Sequence, residues 1–139
     1  AEVLRAELET IDAELREAVA ALPPERRVLV TCEGAFSYLA RDAGLDEVFL
    51  WPVNAEQQVT PQGVLAVARA VRERAVPAVF CESTVADQTM REVAEESGAR
   101  FAGTLYVDSV SAADGPVPTY LDLLRHDVRT IAAGLGAGA

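Results

Sequence analysis

Three carboxylates stand where an apolar run of this sequence stops and a polar or helical pattern takes over. Glu33 follows Val28-Leu-Val-Thr-Cys32, Glu82 follows Pro77-Ala-Val-Phe-Cys81, and Asp108 follows the stretch from Phe101 to Val107. If each run is a strand of one parallel sheet, all three acids emerge on the edge beyond the strands' carboxyl ends, where open α/β sheets bind ligands. A hard divalent cation prefers oxygen donors, and carboxylates from two strand ends could supply two of them. Spacing alone stops short of that conclusion, because an acid at a strand end is more often a helix cap or a solvated rim charge.

The elements that would carry these acids follow from periodicity. Leu4, Leu8, Ile11, Leu15, Val19 and Leu22 recur at helical intervals among charged residues, and Pro23 and Pro24 end that helix. Val28 to Thr31 suits a buried strand; Phe36, Leu39 and Ala40 then mark a helix over about residues 34–43, stopped by Gly44. Val48 to Trp51 reads as a second strand, and Asn54 to Val59 as a polar loop. Thr60 is placed to cap a helix that begins with Pro61 and turns Val64, Leu65, Ala68 and Val71 inward. After the third strand, Pro77 to Cys81, Thr84 with Asp87 resembles a capping box, and Met90, Val93 and Ala94 line a helix closed by Gly98. Arg100 to Val107 suits a fourth strand ending on Asp108, and the segment from Asp114 to Pro118 must be a loop. A last helix, Thr119 to Leu135, would face Leu121, Leu124, Val128, Ile131 and Leu135 inward and leave His126 on a solvated polar face. Strands alternating with helices predict an α/β fold, with one four-stranded parallel sheet flanked by helices and right-handed crossovers.

Composition narrows the partners. The chain has 139 residues, half of them hydrophobic, which is one domain's worth of core. With 22 acidic against 12 basic residues and a formal charge of −10, nucleic acid and anionic membrane surfaces are poor partners and cations natural ones. No apolar run approaches the ~20 residues of a membrane span, and no signal peptide pattern opens the chain. Residue 1 already lies inside a helical pattern, so a longer parent protein is expected. Cys32 and Cys81 are too few for a disulfide scaffold or a structural zinc site. Buried free thiols are the expectation, with a disulfide between adjacent strands as the alternative.

The segments Val30-Thr-Cys-Glu-Gly-Ala-Phe-Ser-Tyr38, Trp51-Pro-Val-Asn-Ala-Glu56, Thr60-Pro61, Pro77-Ala-Val-Phe-Cys-Glu-Ser83, Leu105-Tyr-Val-Asp-Ser109 and Gly115-Pro-Val-Pro-Thr-Tyr120 occur here in order. Together they resemble the C-terminal lobe of the substrate-binding proteins of bacterial manganese and zinc ABC transporters. The resemblance implies a two-lobed parent with one long bridging helix and a metal held in the cleft by two ligands from each lobe. Residues 1–22 would then be the C-terminal part of the bridging helix and residues 23–139 the C-terminal lobe, the N-terminal lobe being absent. By the same resemblance Glu33 and Asp108 are the metal ligands. Glu82 and Ser109 are expected to bond loop backbone or orient the site.

The implied function is extracytoplasmic capture of a divalent metal and its delivery to an ABC permease, by a parent that is lipid-anchored or secreted, without an organic cofactor and without catalysis. Zinc-importing members resemble this chain but carry His where Glu33 stands; the harder carboxylate favours Mn²⁺, with Zn²⁺ or Fe²⁺ as alternatives. Two carboxylates alone predict weak binding by the isolated lobe, and its bared cleft face could support a dimer. The competing expectation is a Mg²⁺-dependent enzyme on a flavodoxin-like doubly wound sheet. Against it, the sequence has no Gly-rich phosphate loop, no lysine, and no nucleophile paired with a base.

Overall fold

The computed structural model describes residues 2–52, 59–107 and 111–136. Helix α1 (Glu2–Ala20) comes first. Pro23 and Pro24, which cannot continue an α-helix, turn the chain through a short 3-10 segment, Pro24–Arg26, into strand β1 (Val28–Glu33). There follow α2 (Ser37–Ala43), β2 (Asp46–Trp51), α3 (Pro61–Glu73), β3 (Ala78–Glu82), α4 (Gln88–Ser97), β4 (Arg100–Leu105) and α5 (Tyr120–Gly136). Gly44 and Gly98 end α2 and α4 with φ of 81° and 79°, a backbone region that is open to glycine and costly for other residues. Thr60 caps α3 as its sequence predicts, its hydroxyl accepting the Gly63 N–H at 3.0 Å.

Every residue of β1 and β3 is buried, whereas β2 and β4 are partly exposed along most of their length. That agrees with the composition: the runs Val28-Leu-Val and Ala78-Val-Phe are continuously apolar, as strands covered on both faces must be. β1 pairs in parallel with β2, and β3 in parallel with β4. The expected single four-stranded sheet is instead two two-stranded parallel sheets set side by side, with β1 packed against β3. The reason lies in the seam. Among the described residues no backbone ladder joins β1 to β3; a disulfide and one buried carboxylate bridge them instead.

Helices α1, α2 and α5 form one connected group, with α1 packed on both others, and α3 packs on α4. The apolar stripe of α1 is buried only from Ile11 onward, and Leu4 is exposed. Ion pairs from Glu7 to Arg125 and from Glu14 to Arg129 tie the polar flank of α1 to α5. On α3 the buried residues are Val67, Ala68 and Val71, while Leu65, expected inside, is 56% exposed. The capping box expected from Thr84 does not form, because α4 starts only at Gln88 with Asp87 as its N-cap residue. The β3–β4 register slips by one residue after Val79, so that Phe80 stands opposite Gly103.

Candidate metal centre

Glu33 ends β1 and is buried to 8% exposure, where a solvated rim charge would be open to water. Its main chain is held at both ends. Its N–H donates to Glu82 Oε2 at 2.6 Å, and its carbonyl accepts from the Thr31 hydroxyl and the Ala35 N–H, each at 2.8 Å. The following residue, Gly34, donates its N–H to the Trp51 carbonyl at 3.0 Å, which ties the turn after β1 to the end of β2.

Glu82 ends β3 and is 1% exposed. Its carboxylate takes the N–H of Cys32 on Oε1 at 3.1 Å as well as that of Glu33 on Oε2. In a regular strand successive N–H groups point to opposite sides, so it takes both oxygens of the Glu82 carboxylate to meet the two. Burial pushes the Glu82 carboxyl up to about 7; the amide N–H groups of Glu33, Cys32 and Glu82 itself pull the other way, and the neighbouring Glu33 carboxylate adds to the rise.

One residue before each acid, Cys32 and Cys81 form a disulfide with Cα atoms 4.9 Å apart. The expectation of free thiols is therefore corrected: the cysteines stand directly opposite each other on β1 and β3. Ligand atoms of Cys32, Cys81 and Glu82 lie within 4.8 Å of one another, but sulfurs joined to each other do not offer the thiolates a metal would take.

The third acid of the sequence argument, Asp108, lies outside the described residues, as do Ser109 and the loop from Asn54 to Gln58. The approach to it is described. Glu82 pairs with Leu105, and the Ser83 N–H donates to the Leu105 carbonyl at 2.7 Å, so the end of β4 sits beside that of β3. β4 stops at Leu105 and does not run to Val107, because the next N–H, that of Tyr106, donates to a side chain of α5, Asp127 Oδ1, at 2.8 Å. The structure thus brings the ends of β1, β3 and β4 to one edge, with Glu33 and Glu82 in contact there.

Two residues of α5 matter here: Asp127, which no pattern in the sequence marks, and His126, which periodicity misassigns. Asp127 is 3% exposed, and burial pushes its carboxyl up to about 6 against the pull of the Tyr106 N–H and of His126. His126 is not a solvated residue remote from the edge. It is partly buried, with Nε2 3.0 Å from the Thr104 carbonyl and its ring edge-on to Tyr106 at 5.2 Å. Glu47 was equally unmarked: from β2 it accepts the Phe36 N–H at 3.1 Å and the Ser37 hydroxyl at 2.7 Å, and so anchors the start of α2. Of the two aromatics near the site, Trp51 is buried and Tyr38 is 76% exposed beneath the Arg41 guanidinium.

Parallel βα units with buried acids gathered at their strand ends form an edge at which a ligand could be held. Residues 1–134 match the family model described as ZnuA, zinc-uptake complex component A, periplasmic. The chain belongs to that family, whose members are components of metal uptake and not enzymes. It is 53% identical over 129 residues to the iron-binding protein YfeA of Yersinia pestis, covering 93% of this chain and 42% of that protein. It is 33% identical over 135 residues to the manganese-binding lipoprotein MntA of Halalkalibacterium halodurans, covering 97% and 45%. Among solved structures, the Mn-bound periplasmic metal binding protein from Candidatus Liberibacter asiaticus matches with a TM-score of 0.83 at 37% identity, over 96% of this chain and 48% of that one. The periplasmic zinc binding protein TroA from Treponema pallidum matches with a TM-score of 0.83 at 27% identity, over 96% and 50%. The chain spans about half the length of the relatives that it matches.

Proposed function

We propose that this chain is the C-terminal lobe of an extracytoplasmic solute-binding protein that captures a divalent transition metal, Mn²⁺ in preference to Zn²⁺ or Fe²⁺, and hands it to an ABC permease. Residues 1–22 are then the end of the helix that bridges to a preceding lobe. Glu33 and Asp108 are this lobe's metal ligands. One observation carries the reading: Glu33, a carboxylate buried to 8% exposure, ends its strand against a second buried acid with its main chain pinned on both sides. A carboxylate held at a fixed place on that edge offers the hard oxygen donors that a divalent cation takes. The disulfide agrees with an oxidising compartment outside the cytoplasm.

Capture requires no covalent step. The lobe offers hard oxygen donors, and the partner lobe closes over the ion with the remainder. Carboxylate donors suit Mn²⁺, although a site of mixed nitrogen and oxygen donors binds Zn²⁺ ahead of Mn²⁺ in the general affinity order. Geometry therefore has to carry any preference. Calorimetric titration of the full-length protein with Mn²⁺ should give one site per molecule, weakened at least tenfold in Glu33→Gln and in Asp108→Asn. The lobe alone should bind far more weakly. Tight stoichiometric binding by the lobe alone as a monomer, or wild-type affinity in both variants, would overturn the reading.

A further inference from the structure

We infer that Glu82 is the positioning residue of this site: it sets where the Glu33 carboxylate stands by holding the main chain of Glu33 and never touches the metal itself. The inference rests on the reading of Glu33 as a metal ligand.

The geometry is specific to a clamp. A side chain that merely filled the seam between β1 and β3 could be apolar, like its neighbours Val79 and Phe80. Instead the chain buries an acid to 1% exposure, where an unpaired charge is costly, and satisfies both oxygens with consecutive amide N–H groups of the opposite strand, at 3.1 and 2.6 Å. Hydrogen bonds to a charged acceptor are about twice as strong as neutral ones. The covalent link Cys32–Cys81 lies one residue earlier on both strands, so β1 and β3 are joined twice in succession, by sulfur and then by carboxylate. With its carbonyl held by Thr31 and Ala35, Glu33 has little main-chain freedom left. A ligand whose backbone is fixed loses less entropy on binding, and its carboxylate is presented at one place.

Gln at position 82 keeps the size of the side chain but replaces one acceptor oxygen with an NH₂ donor, which faces an amide N–H and cannot pair with it. Mn²⁺ titrations of the full-length protein are made on wild type, Glu82→Gln, Glu33→Gln and the double variant, with thermal melts of the metal-free forms as the folding control. The expected result is a Kd for Mn²⁺ raised roughly 10- to 100-fold by Glu82→Gln, with no further loss when Glu33→Gln is already present. A purely structural role would weaken binding by the same factor in both backgrounds, and that outcome overturns the inference. So does unchanged affinity in Glu82→Gln while Glu33→Gln binds poorly. If Glu33→Gln binds as wild type does, the ligand assignment falls first and this inference with it. Should Glu82→Gln fail to fold, hydrogen exchange in the metal-free wild type decides: slow exchange at the Cys32 and Glu33 amides is expected, and fast exchange at both overturns the clamp.

Discussion

Asp127 makes the stability of this lobe depend on pH in a direction opposite to that of most acids. Its carboxyl is raised from 3.8 to about 6 by burial on α5, beneath the end of β4. Between those values the folded protein holds a proton that the unfolded chain has already released. Stability from this group is therefore full below about pH 4 and is lost as pH rises through about 6. Each pKa unit corresponds to about 1.4 kcal/mol, so the loss is about 3 kcal/mol at full strength, and nearer ~2 kcal/mol once solvent screening is allowed for. Asp127→Asn removes the charge and keeps the oxygen that accepts the Tyr106 N–H at 2.8 Å. Urea unfolding of wild type and variant at steps from pH 4 to pH 7 measures the effect. Glu82, also raised, titrates in both proteins, so only the difference between them reports on Asp127. Equal stability near pH 4 and an Asn variant more stable by ~2 kcal/mol at pH 7 is the expected pattern. A wild-type advantage that is the same at every pH would refute the reasoning, because the carboxylate would then be acting only through its hydrogen bond.

The disulfide between Cys32 and Cys81 closes a loop across a sequence separation of 49, which in the chain-entropy treatment is worth about 4 kcal/mol. Reduction, or the Cys32→Ser/Cys81→Ser pair, should lower the urea unfolding free energy by that order, and a change under ~1 kcal/mol would show that β1 and β3 are held mainly by packing and by Glu82. Gly134 tests packing against propensity. Alanine is better than glycine in a helix by about 1 kcal/mol, yet a Cβ at position 134 would lie 2.7 Å from Cζ of the fully buried Phe80 and 3.0 Å from Ala102 Cβ. Gly134→Ala should therefore destabilise by about 1–3 kcal/mol in thermal or urea unfolding, and a stabilised variant would mean that α5 rides further from β3 and β4 than the contacts imply.

The parts of the fold that can be read from the sequence are those that repeat. β1 and β3 announce themselves as continuous apolar runs, the Thr60-Pro61 start of α3 has a chemical signature, and Gly44 and Gly98 close helices where they stand. Glu33 and Glu82 follow from the same signal, since a buried strand that stops on an acid puts that acid on the sheet edge. The inward face of α5 was hidden by one polar residue. Its buried positions are Leu123, Asp127, Val128, Ile131, Gly134 and Leu135, with Leu121 and Leu124 partly buried against the same core as expected; discounting Asp127 as polar narrows the apparent stripe and turns His126 out to solvent. The Cys32–Cys81 bridge was open for a different reason: two cysteines at strand ends can pair only if β1 and β3 are neighbours, and no local pattern fixes strand order.

The acids that bond to main chain share a deeper obscurity. Glu82 holds the end of β1, Glu47 the start of α2, and Asp127 the residue after β4. In each case the partner is a backbone N–H, which almost every residue possesses, so the sequence marks the acceptor and leaves the donor anonymous. All three bonds stand where regular structure stops or starts. At the β1–β3 seam a continuous ladder would take up strand N–H groups itself, and would fix the edge of the sheet in the geometry of a ladder. Splitting the sheet there leaves the Cys32 and Glu33 N–H groups to the Glu82 carboxylate. The edge is then irregular without being loose, and each carboxylate can be replaced by a single substitution, whereas a ladder cannot. That is why, on the proposed reading of Glu33 as a metal ligand, its affinity for the ion should be tunable from Glu82 while the cores of β1 and β3 stay as they are.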